Sequence, residues 1–91
     1  MAARVLIVDD AAFMRASLKM MLERNGFEVV GEADNGEAGV KKYEQLRPDI
    51  VTMDITMPKM DGIKALQGIK AIDKNANIVV VSALGKEDLV R

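Results

Sequence analysis

Val5-Leu6-Ile7-Val8-Asp9-Asp10 and Asp49-Ile50-Val51-Thr52-Met53-Asp54 decide how this chain folds. Each is a short run of β-branched and aliphatic residues without polar alternation, the pattern of a strand buried on both faces of a parallel sheet. Each runs out into acid. In an open α/β sheet the carboxyl ends of the strands are where ligands bind. Carboxylates gathered at that edge concentrate negative charge, and that charge calls for a cation.

Outward from these strands, helical and extended patterns alternate. Phe13, Met14, Leu18, Met21 and Leu22 recur at helical spacing until Asn25-Gly26 stops the first helix. Phe27 to Ala33 reads as a second strand, Asn35-Gly36 as a turn, and Val40, Tyr43 and Leu46 as one face of a helix closed by Pro48. After Asp54 comes the loop Ile55-Thr56-Met57-Pro58-Lys59-Met60-Asp61-Gly62, then a third helix marked by Ile63, Leu66 and Ile69. Asn75-Ala76-Asn77 precedes a fourth strand, Ile78-Val79-Val80-Val81, ending at Ser82, and Lys86 to Arg91 begins another helical stretch. The order βαβαβαβ predicts one parallel-sheet α/β domain. The first-helix residues Met14, Met20 and Met21 read as core or near-core fillers.

Composition narrows the chemistry. The 91 residues suffice for one small domain. Thirteen basic against fourteen acidic residues give a net charge of −1, which offers no electrostatic case for nucleic acid or an anionic membrane. Cysteine and histidine are absent, removing disulfides, thiolate zinc sites and the usual general base. A metal site must then be built of oxygens, which suits Mg²⁺. No apolar run approaches the roughly 20 residues of a membrane span. The start, Met1-Ala2-Ala3-Arg4, passes directly into a strand without a signal-peptide pattern, so a soluble cytoplasmic protein is expected.

Taken singly, the motifs have modest readings. Asp10 could equally be the N-cap of the first helix. Asp54 could be a strand-end turn former and Ser82 a strand-end cap. Asp61-Gly62 reads as turn chemistry and Lys59 as a solvated loop charge. Val8-Asp9-Asp10-Ala11-Ala12 contains no glycine-rich phosphate loop, which disfavours a dinucleotide fold.

Taken together, Val8-Asp9-Asp10, Met53-Asp54-Ile55-Thr56-Met57-Pro58 with Asp61-Gly62, and Ser82-Ala83 resemble the receiver domain of two-component response regulators, in its CheY-like chemotaxis form. The resemblance runs the whole length of the chain and implies a flavodoxin-like parallel sheet. It implies a signalling module rather than an enzyme, phosphorylated by a histidine kinase. Asp54 would be the phosphoryl acceptor. Asp10 and Asp54 would bind Mg²⁺ directly, Asp9 would hold a metal-bound water, and the Thr56 carbonyl would complete the protein ligands. Ser82 would supply the hydroxyl that turns toward the phosphoryl group. Phosphoryl chemistry agrees, since a carboxylate attacking phosphorus meets anion–anion repulsion that a divalent ion offsets.

The family pattern also carries a fifth strand ending in Lys-Pro and a fifth helix, with no counterpart in residues 1–91. A receiver domain truncated after strand four is therefore expected, with an impaired response and a homodimer covering the bared sheet face or pairing at strand four. The alternative is a self-associating fold fragment or interaction module with a vestigial acidic site. An aspartate-nucleophile phosphohydrolase would need a second-position acid, a lysine and more chain.

Overall fold

The computed structural model describes residues 2–55 and 62–81. Seven elements follow in chain order: β1 Arg4–Val8, α1 Ala12–Arg24, β2 Glu28–Ala33, α2 Gly36–Leu46, β3 Ile50–Asp54, α3 Gly62–Ile72 and β4 Ile78–Val81. The strands form one parallel sheet in the order β2-β1-β3-β4. This is the beginning of the doubly wound order for which flavodoxin and CheY are the standard examples, and it bears out the expected α/β, flavodoxin-like fold.

The central strands are the two acid-tipped runs. Val5, Leu6, Ile7, Val8, Val51 and Met53 are all fully buried. Leu6 and Val8 pair with Val51 and Met53, so these four share a sheet face. Ala65 and Ile69 of α3 and Tyr43 of α2 complete the core against that face. Two close approaches, Gly39 of α2 to Val8 and Gly31 of β2 to Leu46 of α2, set the packing on α2's side. A Cβ at Gly39 would come 2.9 Å from Val8 Cγ2, so α2 lies directly against the end of β1. Beyond Val5 and Val29 the β1–β2 register shifts by one residue, a bulge at Val30 that brings Gly31 opposite Leu6.

Helix ends follow local chemistry. Asn35 caps α2 by accepting from the Ala38 amide at 2.8 Å. Gly26, at φ +91°, supplies the left-handed residue after α1 that a side chain would resist. Tyr43, buried in α2, donates its hydroxyl to Asp73 Oδ2 at 2.9 Å, while Asp73 Oδ1 accepts from the Asn75 amide at 2.9 Å. These bonds hold Asp73 below the usual carboxylate range, the Asn75 amide acting most strongly and Tyr43 next. They also join α2 to the turn before β4. Tyr43→Phe is expected to cost about 1–2 kcal/mol, since it removes one bond to a charged acceptor and leaves the ring in place. Urea unfolding measures it, and a change below a few tenths of a kcal/mol would show the bond to be idle.

Helix α1 departs from expectation. Met20 and Met21 are not core fillers: they are 60% and 52% exposed, and Phe13 is 78% exposed. Met14, Leu18 and Leu22 form the half-buried side instead. The helix carries two adjacent apolar stripes, and helical periodicity does not say which one meets the sheet. Phe13, Ala16, Ser17, Met20 and Met21 line a shallow open groove. Val79 and Val80 of β4 are also about half exposed. Among the described residues, no helix is long and apolar enough to cross a membrane.

Candidate metal and phosphoryl site

In this strand order the chain leaves β1 toward β2 on one side and returns to β3 on the other, so the topological switch point lies between β1 and β3. Val8 pairs with Met53, and one residue further on Asp9 and Asp54 come level. Asp9 is 1% and Asp54 2% exposed, whereas Asp10 faces solvent. One carboxylate oxygen from each of Asp9, Asp10 and Asp54 lies within 4.8 Å of the others. The three acids singled out in the sequence are thus brought together.

The bonds around the β1–α1 turn explain its shape. The Asp9 amide donates to the Ala33 carbonyl at 3.0 Å, continuing the sheet ladder one residue past β1. Asp9 Oδ1 accepts from the Ala11 amide at 2.9 Å. The N-cap of α1 is Ala11, without a side-chain cap, so the capping role open to Asp10 is not the one it takes. Asp9 Oδ2 is buried and has no hydrogen-bond partner among the described residues. Burial raises the Asp9 pKa above its ordinary 3.8, with the charges of Asp54 and Asp10 adding to the rise, partly offset by the Ala11 amide and Arg15. A buried, partnerless carboxylate oxygen beside two further acids is costly without a cation. The all-oxygen donor set and this orphaned atom fit a hard divalent ion such as Mg²⁺.

Thr56 and Ser82, the remaining expected site residues, lie outside the described residues, as do Lys59 and Lys86. Arg15 and Glu32 were not singled out in the sequence. Arg15 Nη1 donates to the Asp9 carbonyl at 2.7 Å and its Nε to Glu32 Oε1 at 3.1 Å. Lys42 Nζ donates to the Glu32 carbonyl at 2.7 Å. The spacing of 17 residues between Arg15 and Glu32 carries no signal until β2 is placed beside β1.

The family model of the response regulator receiver domain matches residues 5–91. The chemotaxis protein CheY of Bacillus subtilis is 60% identical over 90 residues, covering 99% of this chain and 75% of the relative. CheY of Thermotoga maritima is 59% identical over 90 residues, with the same coverage of 99% and 75%. A crystal structure of the CheX–CheY–BeF3–Mg²⁺ complex from Borrelia burgdorferi superposes with a TM-score of 0.87 at 49% identity, covering 97% of this chain and 67% of that one. The response regulator domain of Thermotoga maritima CheB gives a TM-score of 0.87 at 42% identity, covering 96% of this chain and 65% of that one.

Proposed function

The chain belongs to the response regulator receiver domain family, and on that premise we propose that residues 1–91 act as a CheY-type receiver unit accepting a phosphoryl group on Asp54 from a histidine kinase. The observation that carries this reading is the meeting of Asp9, Asp10 and Asp54 carboxylate oxygens at the switch point of the sheet.

Asp10 and Asp54 would ligate Mg²⁺, with Asp9 holding a water beside it and the Thr56 carbonyl adding a ligand. Mg²⁺, when bound, offsets the negative charge shared by the acceptor carboxylate and the incoming phosphoryl oxygens. Asp54 supplies the attacking oxygen. A P–N bond to the donor histidine breaks as the P–O bond to Asp54 forms, and the departing nitrogen keeps the electron pair. The burial of Asp54 keeps bulk water from the acceptor, and its place at the end of a core strand fixes the line of attack. Ser82 would meet the phosphoryl group with a hydroxyl donor. The presence of Mg²⁺ in the Borrelia CheY complex supports this assignment.

Incubation with Mg²⁺ and a small acyl phosphate, followed by intact-mass spectrometry, is expected to show one added phosphoryl group. Its appearance should require Mg²⁺, and a chain that stays at its starting mass would refute the reading. The exposed Phe13, Met20, Met21 and Val79 favour a second reading, a self-associating module with a vestigial acidic site. An unmodified chain that sediments as a dimer would support it.

A further inference from the structure

We propose that Arg15 is a positioning residue for the divalent-cation site, holding the β1–α1 turn so that the Asp10 carboxylate meets those of Asp9 and Asp54. The proposal rests on the metal-site reading above and deepens it.

The Asp9 and Asp54 side chains are held by burial at the ends of core strands, but Asp10 is exposed. Among the described residues, no hydrogen bond holds its carboxylate. The direction of its Cβ therefore depends on the backbone between Asp9 and Ala11. One side of that backbone is fixed by the Asp9 amide on Ala33 and the Asp9 Oδ1 bond from Ala11. The Asp9 carbonyl is the remaining free handle, and Arg15 Nη1 takes it at 2.7 Å. A carbonyl held at that point fixes the Asp9–Asp10 peptide plane, and with it the ψ of Asp9 and the φ of Asp10.

Arg15 is itself anchored. Its Nε donates to Glu32 Oε1 at 3.1 Å, and both side chains are mostly buried, at 19% and 35% exposure. Glu32 sits on β2, whose main chain at that residue also receives Lys42 from α2. The planar guanidinium fork reaches both the carbonyl and the carboxylate, which a single ammonium cannot do. Arg15 thereby ties the turn to the adjacent strand while, as a guanidinium, having no acceptor atom to offer a cation, and groups that orient metal ligands commonly affect affinity by about tenfold or more.

The sign of the effect separates this role from simple electrostatics. A positive charge close to the acids opposes cation binding, so on Coulombic grounds alone its removal tightens binding. Removal of a positioning group weakens it. We expect Arg15→Met to weaken Mn²⁺ affinity, read by electron paramagnetic resonance, by roughly tenfold. Arg15→Lys should lie between, and Glu32→Gln should weaken binding less than Arg15→Met. In the metal-free protein, exchange of the Ala11 amide, which is bonded to Asp9 Oδ1, should quicken by about tenfold in Arg15→Met while the α2 amides stay unchanged. Unchanged or tighter Mn²⁺ binding by folded Arg15→Met, or of Arg15→Lys should the first variant fail to fold, would overturn the proposal. So would unaltered exchange at the Ala11 amide. Wild-type protein that binds no Mn²⁺ would overturn the metal-site reading itself, and the metal-free exchange rates would still decide whether Arg15 holds the turn.

Discussion

Asp54→Asn is expected to abolish phosphoryl incorporation and, in the absence of metal, to raise the stability of the fold. The two effects share one cause. Asp54 is 2% exposed and its carboxylate oxygen lies within 4.8 Å of those of Asp9 and Asp10. At that separation two like charges repel by about 3 kcal/mol at an effective dielectric constant near 20. An amide keeps the shape of the side chain, gives up the charge and is no nucleophile. After allowance for solvent and for bonds that the amide makes less well, a gain of about 1 kcal/mol in chelator is expected. Undiminished incorporation in Asp54→Asn would point to a different acceptor. A loss of stability would mean that the carboxylate makes a contact outweighing the repulsion.

Asp9 adds a pH dependence to the same site. Its folded-state pKa is raised above the ordinary 3.8, first by burial, so protonation favours the folded state. The stability that follows is complete below about 3.8 and is lost as pH rises through the folded value. The advantage of Asp9→Asn over wild type in chelator should therefore shrink as pH falls from neutrality toward 3.8. Cation affinity of the wild type should fall over the same interval, because protons compete for the carboxylate. Thermal unfolding and metal titration at matched pH values measure both trends, and trends of opposite sign would rule out a cation at Asp9.

Gly62→Ala is expected to be the most damaging single substitution at a glycine of the described residues. Gly62 opens α3 and is buried against the end of β3. A Cβ there would overlap the Ile55 Cα and the Asp54 carbonyl oxygen, and would lie 2.9 Å from the Asp54 carbonyl carbon. These are main-chain atoms and cannot rotate away. Either α3 lifts from the sheet or the tip of β3 moves and carries Asp54 with it. A loss of about 3 kcal/mol is expected, equivalent to a fall in melting temperature of roughly 10–20 °C for a domain of this size. Gly68→Ala is the control. Its nearest contacts would all be with the Val40 side chain, Cγ2 closest at 3.1 Å, which can shift, and alanine favours the helix. It should be near neutral or mildly stabilising. Equal melting temperatures for the two variants would refute the close approach at Gly62.

Much of this architecture is legible before any folding is considered. Unbroken aliphatic runs can be satisfied only by burial on both faces, which sets β1 and β3 at the centre of a parallel sheet. Asp9, Asp10 and Asp54 stand out because each follows such a run. Helix α1 was less legible. Its residues at 13, 14, 18, 20, 21 and 22 offer two apolar stripes, and only contact with β1 and β2 selects the one formed by Met14, Leu18 and Leu22. The Arg15–Glu32 pair was invisible for a related reason. Neither residue belongs to a local motif, and their partnership depends on β2 lying beside β1 with a bulge at Val30.

The sequence by itself determined the chemistry available at the acidic edge: oxygen donors without histidine or cysteine, a carboxylate nucleophile, and strands hydrophobic enough to hold both in place. Those properties belong to residue types and short-range pattern, so no tertiary contact is needed to state them. Tertiary structure alone decided which acid is buried, which is exposed and what holds each. Asp9 and Asp10 are neighbours in sequence, yet Asp9 finishes in the core with one oxygen unpartnered while Asp10 faces solvent on a turn tied back by Arg15. Strand register and helix packing set those differences, because hydrogen bonding between β1 and β3 brings Asp9 level with Asp54 across more than forty intervening positions. Charge on the acids and its gathering at one sheet edge were there to be read in the chain; the burial of each acid and the bonds around it were not.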